Sequence, residues 1–169
     1  MKHKTQKRSI TLRYLPKKLT KKDRKKQLNM ILKSRMLYKK GKYYNRKKVS
    51  SYKSTKSSHI LDANRIYNLD KIGATNELAK ATGCSKKSLS EIIRKGEGAY
   101  YSSGSRPNQT AQSWGIARLA SAITSGKAAA VDYKILQKGC KKTSKALRLA
   151  KLAVKKYKNG TRRVPKARV

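Results

Sequence analysis

The feature that most constrains this chain is the uneven placement of its positive charge. Residues 1–58 hold 22 Lys and Arg beside one acid, residues 59–140 hold 12 beside six acids, and residues 141–169 hold 12 beside none. A net charge of +39 on 169 residues opposes compaction by self-repulsion unless a polyanion neutralises it. The middle stretch has nearly balanced charge, most of the alanines, the single Trp and both Cys, which makes it the candidate core. The flanks read as basic arms that fold partly or on binding.

Several classes fall away. The longest wholly apolar run, Ala128–Val131, is far short of the ~20 residues that a membrane-spanning helix requires. Met1–Arg8 is basic but leads into no hydrophobic stretch, so neither a secretory signal nor a membrane partner is expected. Cys84 and Cys140 stand 56 residues apart without a second pair, which suits neither a disulfide framework nor a zinc site. Free buried thiols are the plain expectation. A bridge between the two requires a fold that brings them together in an oxidising place.

Catalytic material is thin. His3 and His59 lie near no Cys and no carboxylate pair at motif spacing. Asp23, Asp62, Asp70, Glu77, Glu91, Glu97 and Asp132 are scattered singly, with no arrangement that would hold a metal or set two carboxyls at different pKa. Lys95-Gly96-Glu97-Gly98 lacks the strand and third glycine of a dinucleotide loop and reads as a helix end and turn. No enzyme, metal or cofactor is expected.

In the first arm, Thr20 followed by Asp23 has the spacing of a helix cap, and Leu28, Ile31, Leu32 and Met36 recur at helical intervals. This predicts one basic amphipathic helix from about Lys21 to Tyr38. From Lys39 to Ser58, basic residues interleave with Tyr43, Tyr44 and Tyr52. Two readings stand here: an arm that lays charge along phosphates while tyrosines pack or stack, or a plain disordered linker.

The middle predicts short helices over Ile60–Tyr67, Asn76–Thr82 capped by Thr75, and Lys86–Lys95 capped by Ser85. Ala79, Gly83, Leu89 and Ile92 have the types and spacing of a helix-turn-helix. The second helix would then offer Lys86, Lys87, Ser88, Ser90, Glu91 and Arg94 outward. A purely structural hairpin makes the same string, and Glu91 is unwelcome beside phosphate. A Gly/Ser loop over 96–110 follows, and then a helix, Ala111–Thr124, whose Ile116, Leu119, Ala120 and Ile123 make a core stripe. Trp114 and Arg118, one turn apart, suggest a cation–π pair, with core packing of Trp114 preferred over ligand contact. Asp132 is placed to cap a short helix through Leu136. Thr143 or Ser144 starts a last helix through Tyr157, closed by Asn159-Gly160, with a basic tail beyond.

The block Gly98–Thr110, then Ser113-Trp114-Gly115 with Ala117–Ser121, Gly126–Ala129 and Val131-Asp132, resembles an uncharacterised family of small basic proteins from large DNA viruses of algae and protists. The Trp/Arg helix also resembles that of shorter proteins of tailed phages. Leu15–Asp23, Tyr38–Tyr43 and Gly160–Pro165 share the resemblance. It implies a viral setting and brings no catalytic role and no functional residue.

The expected protein is therefore mainly α: a small helical domain over residues 59–160 with a helix-turn-helix-like hairpin, a basic arm over 1–58 and a basic tail over 161–169. The expected function is non-enzymatic, largely sequence-nonspecific nucleic-acid binding, DNA before RNA, in genome condensation or packaging. The location would be the virion, and the host nucleus or viral factory during infection. The alternative is a structural virion component whose arms touch core or capsid proteins. The candidate contacts are Lys21, Lys22, Arg24, Lys25, Lys26, Lys39, Lys40, Lys42, Arg46, Lys47, Lys48, Lys86, Lys87, Arg94, Arg106, Arg162 and Arg163.

Overall fold

The computed structural model describes residues 9–158 and 165–169 and is mainly helical. Helix α1 (Lys21–Lys39) starts where Thr20 accepts the Asp23 N–H. Helix α2 (Ser58–Tyr67) ends on Asn68 in the left-handed region. Helix α3 (Asn76–Thr82) is capped by Thr75 and closed by Gly83, whose φ of +73° is the turn conformation that only glycine adopts freely. Then follow α4 (Lys86–Ser102), α5 (Ala111–Ala122), α6 (Lys127–Val131), α7 (Tyr133–Gly139) and α8 (Lys145–Tyr157). Three of these starts are explained locally: the Ser85, Thr110 and Ser144 hydroxyls accept the third helical N–H of α4, α5 and α8. Helix α7 follows Asp132, whose carboxylate makes no cap bond, contrary to expectation.

Helix α4 departs from its predicted end at Lys95. It continues seven residues further, through Gly96, which packs against α5, and through Gly98. A methyl on Gly96 would sit 2.6 Å from Gly115 Cα, and one on Gly115 would sit 2.6 Å from the Ile93 carbonyl oxygen. The two glycines let α4 and α5 cross backbone to backbone, the most extensive helix pairing in the molecule. Around this crossing lies the main core, with Leu78, Leu89, Ile92, Leu119, Ile123 and Leu136 fully buried. Each contributes about 1.5–3 kcal/mol by leaving water.

One charge enters this interior. The Asp132 side chain is 0% exposed and accepts Arg118 Nε at 2.8 Å, Arg118 Nη2 at 2.8 Å and Lys95 Nζ at 2.9 Å. Arg118 thus ties α5 to the α6–α7 junction, and the expected Trp114–Arg118 stack is replaced by this ion pair. Burial of a carboxylate demands cationic partners of this kind, which draws Arg118 to Asp132.

The two cysteines also differ from expectation. Ser85 N–H donates to Gly139 O at 2.7 Å and Lys141 N–H to Gly83 O at 2.9 Å, so the turn after α3 runs antiparallel to the exit of α7. This places Cys84 against Cys140, and the pair is a disulfide in place of two free thiols.

Residues 9–57 pack onto the helices instead of standing off as a solvated arm. Ile10, Tyr14, Leu15 and Ile31 form a second cluster capped by Trp114, and Leu19, Met30 and Val49 a third flanked by Tyr44 and Tyr52. Trp114 is half-buried, edge-on to Tyr14 at 5.9 Å, with the Arg13 guanidinium 5.8 Å from its ring. No sequence signal announces the last element: β1 (Ser9–Thr11) pairs antiparallel with β2 (Lys166–Arg168), Ser9 opposite Arg168 and Thr11 opposite Lys166.

Candidate nucleic-acid interface

Helix α1 divides its faces sharply. Asp23, Gln27, Met30, Ile31 and Ser34 are buried, whereas Lys22, Lys25, Lys26 and Lys33 lie on the exposed side at three-, four- and seven-residue steps. With Asn29, Met30 and Tyr44 they line a shallow groove of about 470 Å³. The second wall is the stretch after residue 43, which four side chains hold in place. Asn108 Oδ1 accepts the Val49 N–H at 2.8 Å, and its Nδ2 donates to Tyr52 O at 2.6 Å and Val49 O at 3.1 Å. Asp23 accepts the Ser51 N–H at 2.8 Å, and Lys26 Nζ donates to Lys48 O at 3.2 Å. Hydrogen bonding from Ser51, side chain before backbone, holds the Asp23 carboxyl below its ordinary pKa, with smaller help from Ser50 and Lys26 against burial.

Arg46 is the fourth anchor, and it leaves the set of candidate contacts. Its guanidinium lies 3.7 Å from the Tyr100 ring centre and donates to Tyr100 O at 2.7 Å, Ser105 Oγ at 2.7 Å and Ser34 Oγ at 3.3 Å. Burial lowers its pKa from the usual arginine value. Arg24 is also engaged within the fold, its Nη1 donating to Leu15 O at 2.7 Å. Sequence does not separate these two from neighbouring cations whose heads face water.

The remaining candidates fall in three places. Lys21, Lys22, Lys25, Lys26, Lys47 and Lys48 are exposed on α1 and the segment beside it, and Lys39, Lys40 and Lys42 are exposed in the turn where α1 ends. Arg106 is exposed next to Ser105, whose carbonyl accepts from Gln27 of α1. Lys86, Lys87 and Arg94 are exposed on α4, but Ser88, expected outward, is buried. Helix α4 meets α1 near Tyr101, whose carbonyl accepts from Ser34. Lys86 is fifteen residues back along the helix, about 22 Å away at helical rise. The α1 groove and the α4 cations are therefore separate patches. Arg162 and Arg163 lie outside the described residues. One lysine was missed from sequence: Lys33, at the next helical step after Lys26 and Asn29, stands 4.8 Å from the Tyr44 ring. Helix α8 also exposes Lys145, Arg148, Lys151, Lys155 and Lys156.

Among the described residues no group of three or more His, Cys, Asp or Glu is placed to hold a metal, and no helix is long and apolar enough to cross a membrane.

Fold and surface together define a small, mainly helical, strongly basic protein with a cationic groove along one helix. Residues 11–138 match the family of unknown function DUF5824, and the chain belongs to that family. The match begins in β1 and ends in α7, so it takes in the basic segment before residue 58 together with the helical core. No curated protein and no solved structure matches the chain.

Proposed function

We propose that the protein binds nucleic acid, DNA before RNA, through its phosphate backbone and largely without regard to sequence, in the condensation or packaging of a viral genome. The observation that carries this reading is the α1 groove, where Lys22, Lys25, Lys26 and Lys33 stand along one helix beside Tyr44, with no acid among the lining residues. Phosphates spaced along a strand meet a row of ammonium groups there, and displaced counterions supply the affinity. The helix-turn-helix-like hairpin contributes a second cationic patch through Lys86, Lys87 and Arg94, with Glu91 beside them limiting close approach. The viral setting, the virion location and the non-enzymatic character rest on the family resemblance and on the absence of paired acid–base groups in the sequence.

Titration with mixed-sequence duplex DNA tests this. Engagement of ~6–10 cations lowers affinity by ~10³–10⁵ between 50 and 200 mM salt. Replacing Lys22, Lys25, Lys26 and Lys33 with Gln flattens that dependence more than replacing Lys86, Lys87 and Arg94. Affinity that barely changes over this salt range overturns the proposal.

The second reading is a structural virion component. Leu152, 57% exposed between Lys151 and Lys155 on α8, favours it, since an apolar side chain set among lysines suits an acidic protein surface. Co-fractionation with shell proteins after nuclease treatment would favour this reading over genome binding.

A further inference from the structure

A second cavity, of about 530 Å³, opens between the end of α4 and the start of α5. Its chemistry differs from that of the α1 groove. Tyr100 and Tyr101 supply aromatic surface, Asn45, Gln109 and Gln112 supply amides, and Glu97 supplies a carboxylate. Arg46 also lines it, but its guanidinium is held by Tyr100, Ser105 and Ser34. The cavity thus has no free cation to receive a phosphate, and Glu97 opposes one.

At its edge stands a stack of rings. Tyr101 lies 6.5 Å from Tyr38 with the planes 6° apart, and Tyr43 lies 4.9 Å from Tyr101. Tyr101 is set in place by its hydroxyl, which donates to Asn45 Oδ1 at 3.0 Å. Tyr43 is 71% exposed, the most exposed large hydrophobic side chain among the described residues. Between Tyr38 and Tyr43 the chain exposes Lys39, Lys40 and Lys42.

We propose that this cavity and the Tyr43 ring together receive an unpaired nucleobase, with the base stacked on tyrosine and the flanking phosphates met by Lys39, Lys40 and Lys42. Flat aromatic surface beside amides and a carboxylate fits a neutral heterocycle with hydrogen-bond donors on its edge. Glu97 accepts from an exocyclic amino group, so cytosine, adenine and guanine fit better than thymine. A paired base hides its faces in the duplex, so the ligand is a single strand, a loop or a frayed end. The inference rests on the nucleic-acid reading and adds a preference for unpaired strands to it.

The test uses the full chain and single-stranded oligonucleotides carrying one 2-aminopurine, with a duplex of the same sequence as reference. Stacking on Tyr43 quenches the probe, and Tyr43→Leu removes the quench and weakens single-strand binding about tenfold, as expected for loss of one stacked base. Duplex binding then changes less than twofold, and Tyr43→Trp restores the quench. In wild type, oligo(dC) binds more tightly than oligo(dT), and Glu97→Gln reduces that difference. An unchanged probe signal, equal single-strand affinity of Tyr43→Leu and wild type, or full-strength binding of a free mononucleotide overturns the inference while duplex binding continues. Failure to bind any of the nucleic acids overturns the underlying reading instead.

Discussion

Gly96 of α4 and Gly115 of α5 face each other so closely that a Cβ on Gly96 would lie 2.6 Å from Gly115 Cα. Glycine inside a helix ordinarily weakens it by about 0.5–1 kcal/mol relative to alanine. Here the sign reverses, because backbone stands where the methyl would go. Gly96→Ala or Gly115→Ala should lower stability by about 1–3 kcal/mol in urea unfolding. Gly98→Ala, whose methyl would meet only the Tyr38 hydroxyl at 3.7 Å, should raise it slightly. A stabilised Gly115→Ala would show that the helices do not touch there.

Asp132→Asn should be among the most damaging single substitutions in the chain. It removes the charge that Arg118 and Lys95 face and leaves a partly buried guanidinium without its counterion. Breaking a buried pair in this way costs about 3–5 kcal/mol, read as a shift of the denaturation midpoint. Asp62→Asn, whose pair with Arg65 is exposed, serves as the control and should change stability by at most ~1 kcal/mol.

Trp114→Ala should loosen the N-terminal segment before the main core. The ring is half-buried and touches Tyr14 and Arg13, so its loss costs about 1–3 kcal/mol, less than the ~3–5 of a fully buried Trp. Hydrogen exchange should quicken over residues 9–32 while α8 stays protected. Equal loosening throughout would place Trp114 in the main core after all.

Asp23 sets an acid limit on the wall of the α1 groove. Its folded pKa lies below the ordinary aspartate value. Its contribution is therefore complete above the unfolded pKa and is lost as pH falls through the depressed folded one. The Ser51 amide should exchange faster in that acid window in wild type, and at every pH in Asp23→Asn. Constant Ser51 protection through the titration would refute the clamp.

Reduction of Cys84–Cys140 should cost about 2–4 kcal/mol, since the bond closes a long loop in the unfolded chain. Paired melts with and without reductant measure this directly.

How much of this was legible in sequence depends on the range of the signal. Helix α3 was read to the residue, because Thr75 and Gly83 are local punctuation that tertiary packing leaves alone. Helix α4 was cut short at Lys95, because nothing local distinguishes a glycine that ends a helix from one that meets another glycine nineteen residues on. The fold of residues 9–57 was hidden by their charge. Their apolar anchors are few, and Asn108, which holds Val49 and Tyr52, lies more than fifty residues away. At the candidate interface, the lysine stripe of α1 follows from helical period, whereas the pairing of Lys33 with Tyr44 and the inward turn of Arg46 depend on the course of the following chain.

The strand pair of Ser9–Thr11 with Lys166–Arg168 joins residues that almost the whole described fold separates. Closing a loop of that length from an unfolded chain costs about 4–5 kcal/mol in the length term alone, more than three residues of ladder return. The clasp therefore forms late, after the helices have carried its two strands together. Until Ala167 is available, Ile10 has no ladder partner, and the cluster it shares with Tyr14, Leu15 and Ile31 stays open to water. An anion that neutralises the basic surface during this interval would hasten closure, so a polyanion bound as proposed would also help complete the fold.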